Sequence, residues 1–181
     1  MALGTLHDLY VEELRDPYNA ENQLLKALPK MAKAASDERL QAAFEEHLEV
    51  TRGQVERLDR IFKELGIRAT GKKCAAMEGL VEEAKELLEE DAEPSVLDAA
   101  LISAAQKVEH YEIASYGCVR TYARQLGYER AAELLQETLD EEAETDELLT
   151  ELAEAVINVE AEEAEEEQPA PKRKKAAAGR R

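Results

Sequence analysis

Along most of this 181-residue chain, apolar side chains return at alternating steps of three and four, the spacing that lines one face of an α-helix. In the first such segment the stripe reads Leu14, Pro17, Glu21, Leu24, Leu28 and Met31. The second reads Leu40, Phe44, His47, Thr51, Gln54, Leu58, Ile61 and Leu65, and the third Ile102, Ala105, Glu109, Glu112, Tyr116 and Val119. The fourth reads Leu135, Thr138, Glu142, Thr145, Leu149, Leu152 and Val156, with Asp146 on the edge of the same face. Near the middle of every segment the aliphatic side chains give way to carboxylates, an imidazole or an amide.

The breaks between segments predict the architecture. A first helix spans about Leu3 to Ala34 and carries Pro17 and Pro29, which bend a helix by removing a hydrogen bond and crowding the preceding turn. Ser36 is a good N-cap for a second helix that runs to Leu65 and stops at Gly66. After a loop over Ile67 to Lys73, a shorter amphipathic helix covers Ala75 to Glu90. Pro94 and Ser95 open a third long helix ending near Gly127, and a fourth runs from Tyr128 to about Glu162. Two short hairpin loops imply antiparallel pairs, and the long link with its extra helix suits a crossover between them. The expectation is an all-α, ferritin-like four-helix bundle over residues 1–162. Residues 163–181 are charged and then rich in Pro and Ala, so a disordered charged tail is expected there.

Composition narrows the class further. With 44% hydrophobic residues the chain can bury a sizeable core. No run of about 18 apolar residues is present, and Met1 to Tyr10 lacks the layout of a secretory signal. A cytoplasmic location follows as the expectation. Cys74 and Cys118 stand in different segments without a zinc-type spacing, and both are read as reduced, packed thiols. The formal net charge is −18, and residues 1–171 hold 17 basic against 41 acidic groups, a net −24. Such a body repels nucleic acid and anionic membranes and attracts cations. Only the basic cluster of Lys172, Arg173, Lys174, Lys175, Arg180 and Arg181 offers a contact for nucleic acid or an acidic partner. Nucleophilic triads, phosphate-cradling glycine loops and aromatic RNA-binding motifs are absent from the sequence.

Helix midpoints in a four-helix bundle share one level, so the inward polar groups converge. An isolated ionised carboxylate in a dry core takes up a proton, pairs with a cation or binds metal. No Lys or Arg falls on the four stripes near their midpoints, which leaves metal as the counter-charge. The candidate ligands are Glu21, Glu109, Glu112, Glu142 and Asp146 as oxygen donors, with His47 and Gln54 as weaker ligands or as groups that orient the acids. A carboxylate-rich set suits iron or manganese, and also magnesium or calcium. The familiar Glu-x-x-His motif of di-iron bundles is missing, with Glu109-x-x-Glu112 as the closest equivalent. Tyr18, Tyr111 and Tyr116 lie within a turn of these groups, either to bond to them or to fill the core. His110 is expected to point away from the site, toward the short helix or a partner subunit.

Several stretches are specific enough to suggest a family. They include Leu6-His7-Asp8-Leu9-Tyr10, Ala20 to Leu28, His47-Leu48-Glu49, Ala75 to Leu80, Glu109-His110-Tyr111-Glu112-Ile113-Ala114-Ser115-Tyr116-Gly117 and Glu137 to Glu142 with Thr145-Asp146. Over residues 3 to about 160 the chain resembles the YciF-type family of bacterial ferritin-like stress proteins. The resemblance implies a ferritin-like domain, a homodimer and a part in general, osmotic or envelope stress. One position departs from the family pattern: two acids often follow His47-Leu48, and here Glu49 is followed by Val50. Glu49 would face solvent, so a carboxylate from the second helix is missing and an asymmetric site is expected. The functional expectation is a metal centre that reacts with or sequesters iron and oxygen species. Its rival is a non-enzymatic dimeric stress protein with a degenerate site.

Overall fold

In the computed structural model, residues 3–167 are described. Their helices are α1 (Leu6–Ala34), α2 (Glu38–Glu64), α3 (Ala75–Glu89), α4 (Pro94–Gln125) and α5 (Glu129–Leu152). A π-helical turn, Ala153–Ile157, then leads into α6 (Asn158–Glu167). The hairpins α1–α2 and α4–α5 pack as pairs, α1 lies against α4, α2 lies against α5, and α3 covers α1 and α4. Contacts at the two ends fix the directions. His7 at the start of α1 meets Tyr128 beyond the end of α4, while Ser36 beyond the end of α1 meets Asp98 at the start of α4. Arg130 at the start of α5 pairs with Glu64 at the end of α2. Every neighbouring pair of long helices is therefore antiparallel, and the crossover from α2 to α4 climbs the bundle through α3. This is the expected ferritin-like four-helix bundle.

The helix ends differ from the expectation in instructive ways. α1 starts at Leu6 because Thr5 and Asp8 form a reciprocal capping box. Asp37, not Ser36, caps α2, accepting from the amides of Arg39 and Leu40 at 2.8 and 3.2 Å. Ser36 is already engaged: its amide and hydroxyl bond to the Asp98 carboxylate at 2.8 and 2.6 Å, and the Asp37 amide adds a third bond at 2.9 Å. α2 and α4 end at Gly66 and Gly127, which take the left-handed conformation at φ 68° and 77°. The fourth long helix is not continuous. Its π turn shifts the phase of the stripe, so Ile157 is buried at 1% exposure and Val156 only partly so. α6 continues to Glu167, past the Glu162 boundary read from sequence. The rest of the expected tail, including its basic cluster, lies outside the described residues.

The crossover loop is stapled to α1. Arg15 donates to the Thr70 carbonyl at 2.9 Å and its own carbonyl accepts from the Lys72 amide at 3.1 Å. Asn19 accepts from the Cys74 amide at 2.8 Å. Gly71 crosses Asn19 so closely that a Cβ would stand 2.8 Å from the Asn19 Cβ. Cys74 is buried and free, and its Sγ caps α3 by accepting from the Met77 amide. Cys118 is free but exposed, contrary to the expectation that both thiols are packed, because its position faces outward on α4.

The apolar interior forms two bodies. One gathers Leu24, Leu28, Met31, Phe44, Leu101, Ile102 and Leu149; the other gathers Tyr10, Leu14, Leu58, Ile61, Tyr116, Val119 and Leu135. Between them runs a buried polar layer of Glu21, His47, Thr51, Gln54, Glu109, Glu112, Thr138 and Glu142. Each long helix passes through one core, the layer and the other core. Asp98 holds the far end together, and its replacement leaves two amides of the α1–α2 turn without an acceptor. Asp98→Ala is expected to lower the unfolding free energy by about 3 kcal/mol in urea titration.

Candidate metal centre

Helix periodicity at the mid-levels of α1, α2, α4 and α5 projects six long polar side chains inward. Glu21, Gln54, Glu112 and Glu142 are fully buried, while Glu109 and His47 retain 2% and 5% exposure. One ligand-capable atom from each of His47, Glu109, Glu112 and Glu142 lies within 4.8 Å of all the others. Glu21 stands beside this cluster from α1, near enough that its charge acts on Glu112. The His47 Nε2 is 3.6 Å from Glu109 Oε1 and 3.9 Å from Glu142 Oε2.

The surroundings orient these groups. The Tyr116 hydroxyl donates to Glu21 Oε1, and the Gln54 amide donates to Glu142 Oε1 and, at 3.2 Å, to Glu141 Oε2. Thr145 donates its hydroxyl proton to the Glu141 carbonyl at 3.0 Å. Its oxygen, 3.2 Å from His47 Nδ1, is then left to accept. This arrangement assigns the imidazole proton to Nδ1 and aims the lone pair of Nε2 at Glu109 and Glu142, the tautomer a metal ligand requires.

The layer is undersupplied with partners. Ten buried side-chain polar atoms lack a hydrogen bond among the described residues, and seven belong here: Glu21 Oε2, His47 Nε2, Gln54 Oε1, Glu109 Oε2, both oxygens of Glu112 and Glu142 Oε2. Buried polar atoms are normally satisfied. Seven unsatisfied atoms, six carboxyl or amide oxygens and one imidazole nitrogen, gathered in one buried layer fit a bound cation.

Electrostatics agree. Burial pushes the carboxyls of Glu21, Glu109 and Glu112 well above the usual range, and their mutual repulsion pushes them further. Glu142 rises to about 7, chiefly by burial, partly offset by bonds from Glu109 and Gln54. Burial lowers His47 to about 4, so it is neutral at physiological pH.

Other expected residues fall at the rim. Asp146 is partly exposed; it accepts from Gln106 at 3.2 Å and lies 3.4 Å from His110 Nε2, so its carboxylate is already occupied. Its edge position on α5 turns it toward α4 instead of the axis, although its charge still reaches Glu109. His110 is exposed and faces α5, where the expectation had it face the short helix or a partner. Glu49 is exposed as expected, and Val50 is half-buried beside His47 on the wall of a surface cleft. Tyr111 bonds away from the layer, to Asp16 and, at 2.9 Å, to Cys74 Sγ. Tyr18 packs edge-on against Phe62.

Sequence reasoning missed the pair Arg57 and Glu141. Arg57, one turn beyond Gln54, forks onto Glu141 and approaches Thr138 at 3.3 Å. From the flank of the layer its charge favours ionised Glu21 and Glu142. The signal lay in residues one step off the inward stripe, which a stripe count leaves out.

The family of chains described as a domain of unknown function (DUF892) matches residues 5–162. Protein YciF of Escherichia coli (strain K12) is 53% identical over 163 residues, covering 90% of this chain and 98% of that protein. The crystal structure of that E. coli stress protein superposes with a TM-score of 0.82, covering 86% of this chain and 98% of the other. YcfI of Rhodopseudomonas palustris, described as a putative structural protein, is 44% identical with a TM-score of 0.80, covering 82% and 94%. A protein of Xanthomonas campestris shares the fold at 23% identity, with a TM-score of 0.71 and coverage of 90% and 99%.

The raised carboxyls have a measurable consequence in chelator-treated protein. Above about pH 4.5 the unfolded chain releases protons that the folded layer keeps, so folding stability falls as pH rises through the folded values. For Glu142 that loss spans about pH 4.5 to 7 and is on the order of 3 kcal/mol. His47 acts oppositely, losing stability as pH falls from 6.5 toward 4, but four carboxyls outweigh one imidazole. Urea unfolding should show the metal-free protein weakening as pH rises from about 4.5 to 7, with a flatter profile for Glu142→Gln.

Proposed function

Because the chain belongs to the DUF892 family, whose E. coli member is described as a stress protein, we propose that it is a stress-response protein built around a buried carboxylate metal centre. The observation that carries the reading is the set of seven partnerless acceptor atoms at one level between two apolar cores. Glu109, Glu112, Glu142 and the Nε2 of His47 would hold the first ion, with Glu21 and Glu112 offering oxygens on the α1 side for a second. Four buried carboxylates balance the charge of two divalent ions. An oxygen-rich set with one imidazole suits iron or manganese better than soft metals.

Iron bound there would supply one-electron chemistry toward oxygen species. The protein's own part is to desolvate the site, to fix Glu21 through Tyr116 and Glu142 through Gln54, and to set the tautomer of His47 through Thr145. Gln54 acts in this reading as an orienting group, and Asp146 as a rim carboxylate that draws cations inward. Val50 leaves the α2 side short of an acid, so one ion is held more tightly than the other. The reading carries with it a homodimer, as the family resemblance implies, and the cytoplasmic location expected from the sequence. No described helix is long and apolar enough to cross a membrane.

Anaerobic calorimetric titration with ferrous iron, and separately with manganous ion, tests the proposal. The expected result is stoichiometric binding that weakens about 100-fold or more in Glu112→Ala and Glu142→Ala, since even outer-shell partners are worth 10- to 100-fold. Binding no tighter than that of surface carboxylates would favour the rival, a stress protein whose buried acids stay protonated. Val50→Glu should raise the stoichiometry from about one ion toward two in the same titration.

A further inference from the structure

The inward stripe of α4 carries Ile102, Glu109, Glu112, Tyr116 and Val119, side chains long enough to meet the opposite helices. At Ala105 it offers only a methyl group. The space left is a cavity of about 20 Å³ between α1, α2, α4 and α5, bordered by Ala43, Phe44, Ala105 and Leu149 and touching His47 and Glu109. Native interiors are densely packed and hold few voids of this kind. One sphere of water size needs roughly 10–15 Å³, so the cavity admits a single molecule of about that scale.

Its walls select the guest. Nine of the twelve lining residues are apolar. A water needs two to four polar partners; of the other three residues Thr145 is already engaged, and the two unpartnered atoms, His47 Nε2 and Glu109 Oε2, belong to the carboxylate layer at one edge of an otherwise apolar wall. The Thr145 hydroxyl serves the Glu141 carbonyl and His47 Nδ1, and His47 Nε2 faces Glu109 and Glu142. An ion among the nine apolar residues, away from the His47–Glu109 edge, would lack compensation for lost hydration. The cavity also has a way out: Ala43, His47, Thr145 and Leu148 line both it and a surface cleft between α2 and α5. Leu148, 41% exposed, stands over the shared wall.

We propose that this cavity is a binding site for one uncharged, apolar molecule of dioxygen size, held against the His47–Glu109 edge of the carboxylate layer and reached past Leu148 along the α2–α5 seam. Ala105 keeps the site open. What the guest then does rests on the metal reading above; its binding does not, because the cavity is formed by the protein alone.

Crystals of the metal-free protein pressurised with krypton, an apolar probe close to dioxygen in size, separate the two. The expected result is one krypton among Phe44, Ala105 and His47, lost in Ala105→Leu, whose side chain fills the space. Ala105→Val provides the same test should the larger substitution prevent folding, with reduced krypton occupancy. An ordered water bonded to His47 and Glu109 in place of krypton, or krypton retained there in Ala105→Leu, would overturn the proposal. Ferrous titration of Ala105→Leu should match wild type. Krypton binding in a protein that takes up no iron would sink the metal reading and leave this one standing; iron binding without krypton would do the reverse.

Discussion

Removing a carboxylate from water is among the largest single penalties a fold can carry, several kcal/mol even after the surroundings relax. Here four carboxyls, Glu21, Glu109, Glu112 and Glu142, are placed at one depth with exposures of 2% or less. The rest of the bundle is arranged around that fact. Two apolar cores sit on either side of the layer and hold the helices in register, so the acids cannot escape by sliding or splaying outward. In the absence of cations the layer keeps its protons; in the proposed centre it would exchange them for metal.

The support around the acids is uneven. Glu142 has Gln54 and the nearby Arg57–Glu141 pair, and Glu21 has Tyr116, whereas neither oxygen of Glu112 has a partner. A group without protein partners is the one whose orientation a bound ion would decide. Val50 adds to the asymmetry by placing an aliphatic side chain on the α2 side, so the two halves of the layer are not equivalent even though the helices around them are related by similar lengths and pairing.

Much of this was legible in the chain. Counting threes and fours placed Glu21, His47, Gln54, Glu109, Glu112 and Glu142 on inward stripes, because helical periodicity over ten or more residues is set by backbone geometry and survives tertiary contacts. The count failed where contact between helices decides. Asp146 lies at the edge of the inward face on a helical wheel and is drawn to Gln106 and His110 on α4. Ser36 has the chemistry of a cap but is taken by Asp98, 62 residues away in sequence. Arg57 lies off the stripe and reaches the layer through Glu141 and Thr138. Val156 was expected inward, and a single π turn handed its place to Ile157.

That π turn separates two registers within one rod. Upstream of Ala153 the phase of α5 is locked by the acid layer; downstream, residues take their orientation from a spacing advanced by one position. The extra residue of the turn leaves the register above it unchanged, so a change in the length or charge of the last helix would leave the acids at mid-height where they are.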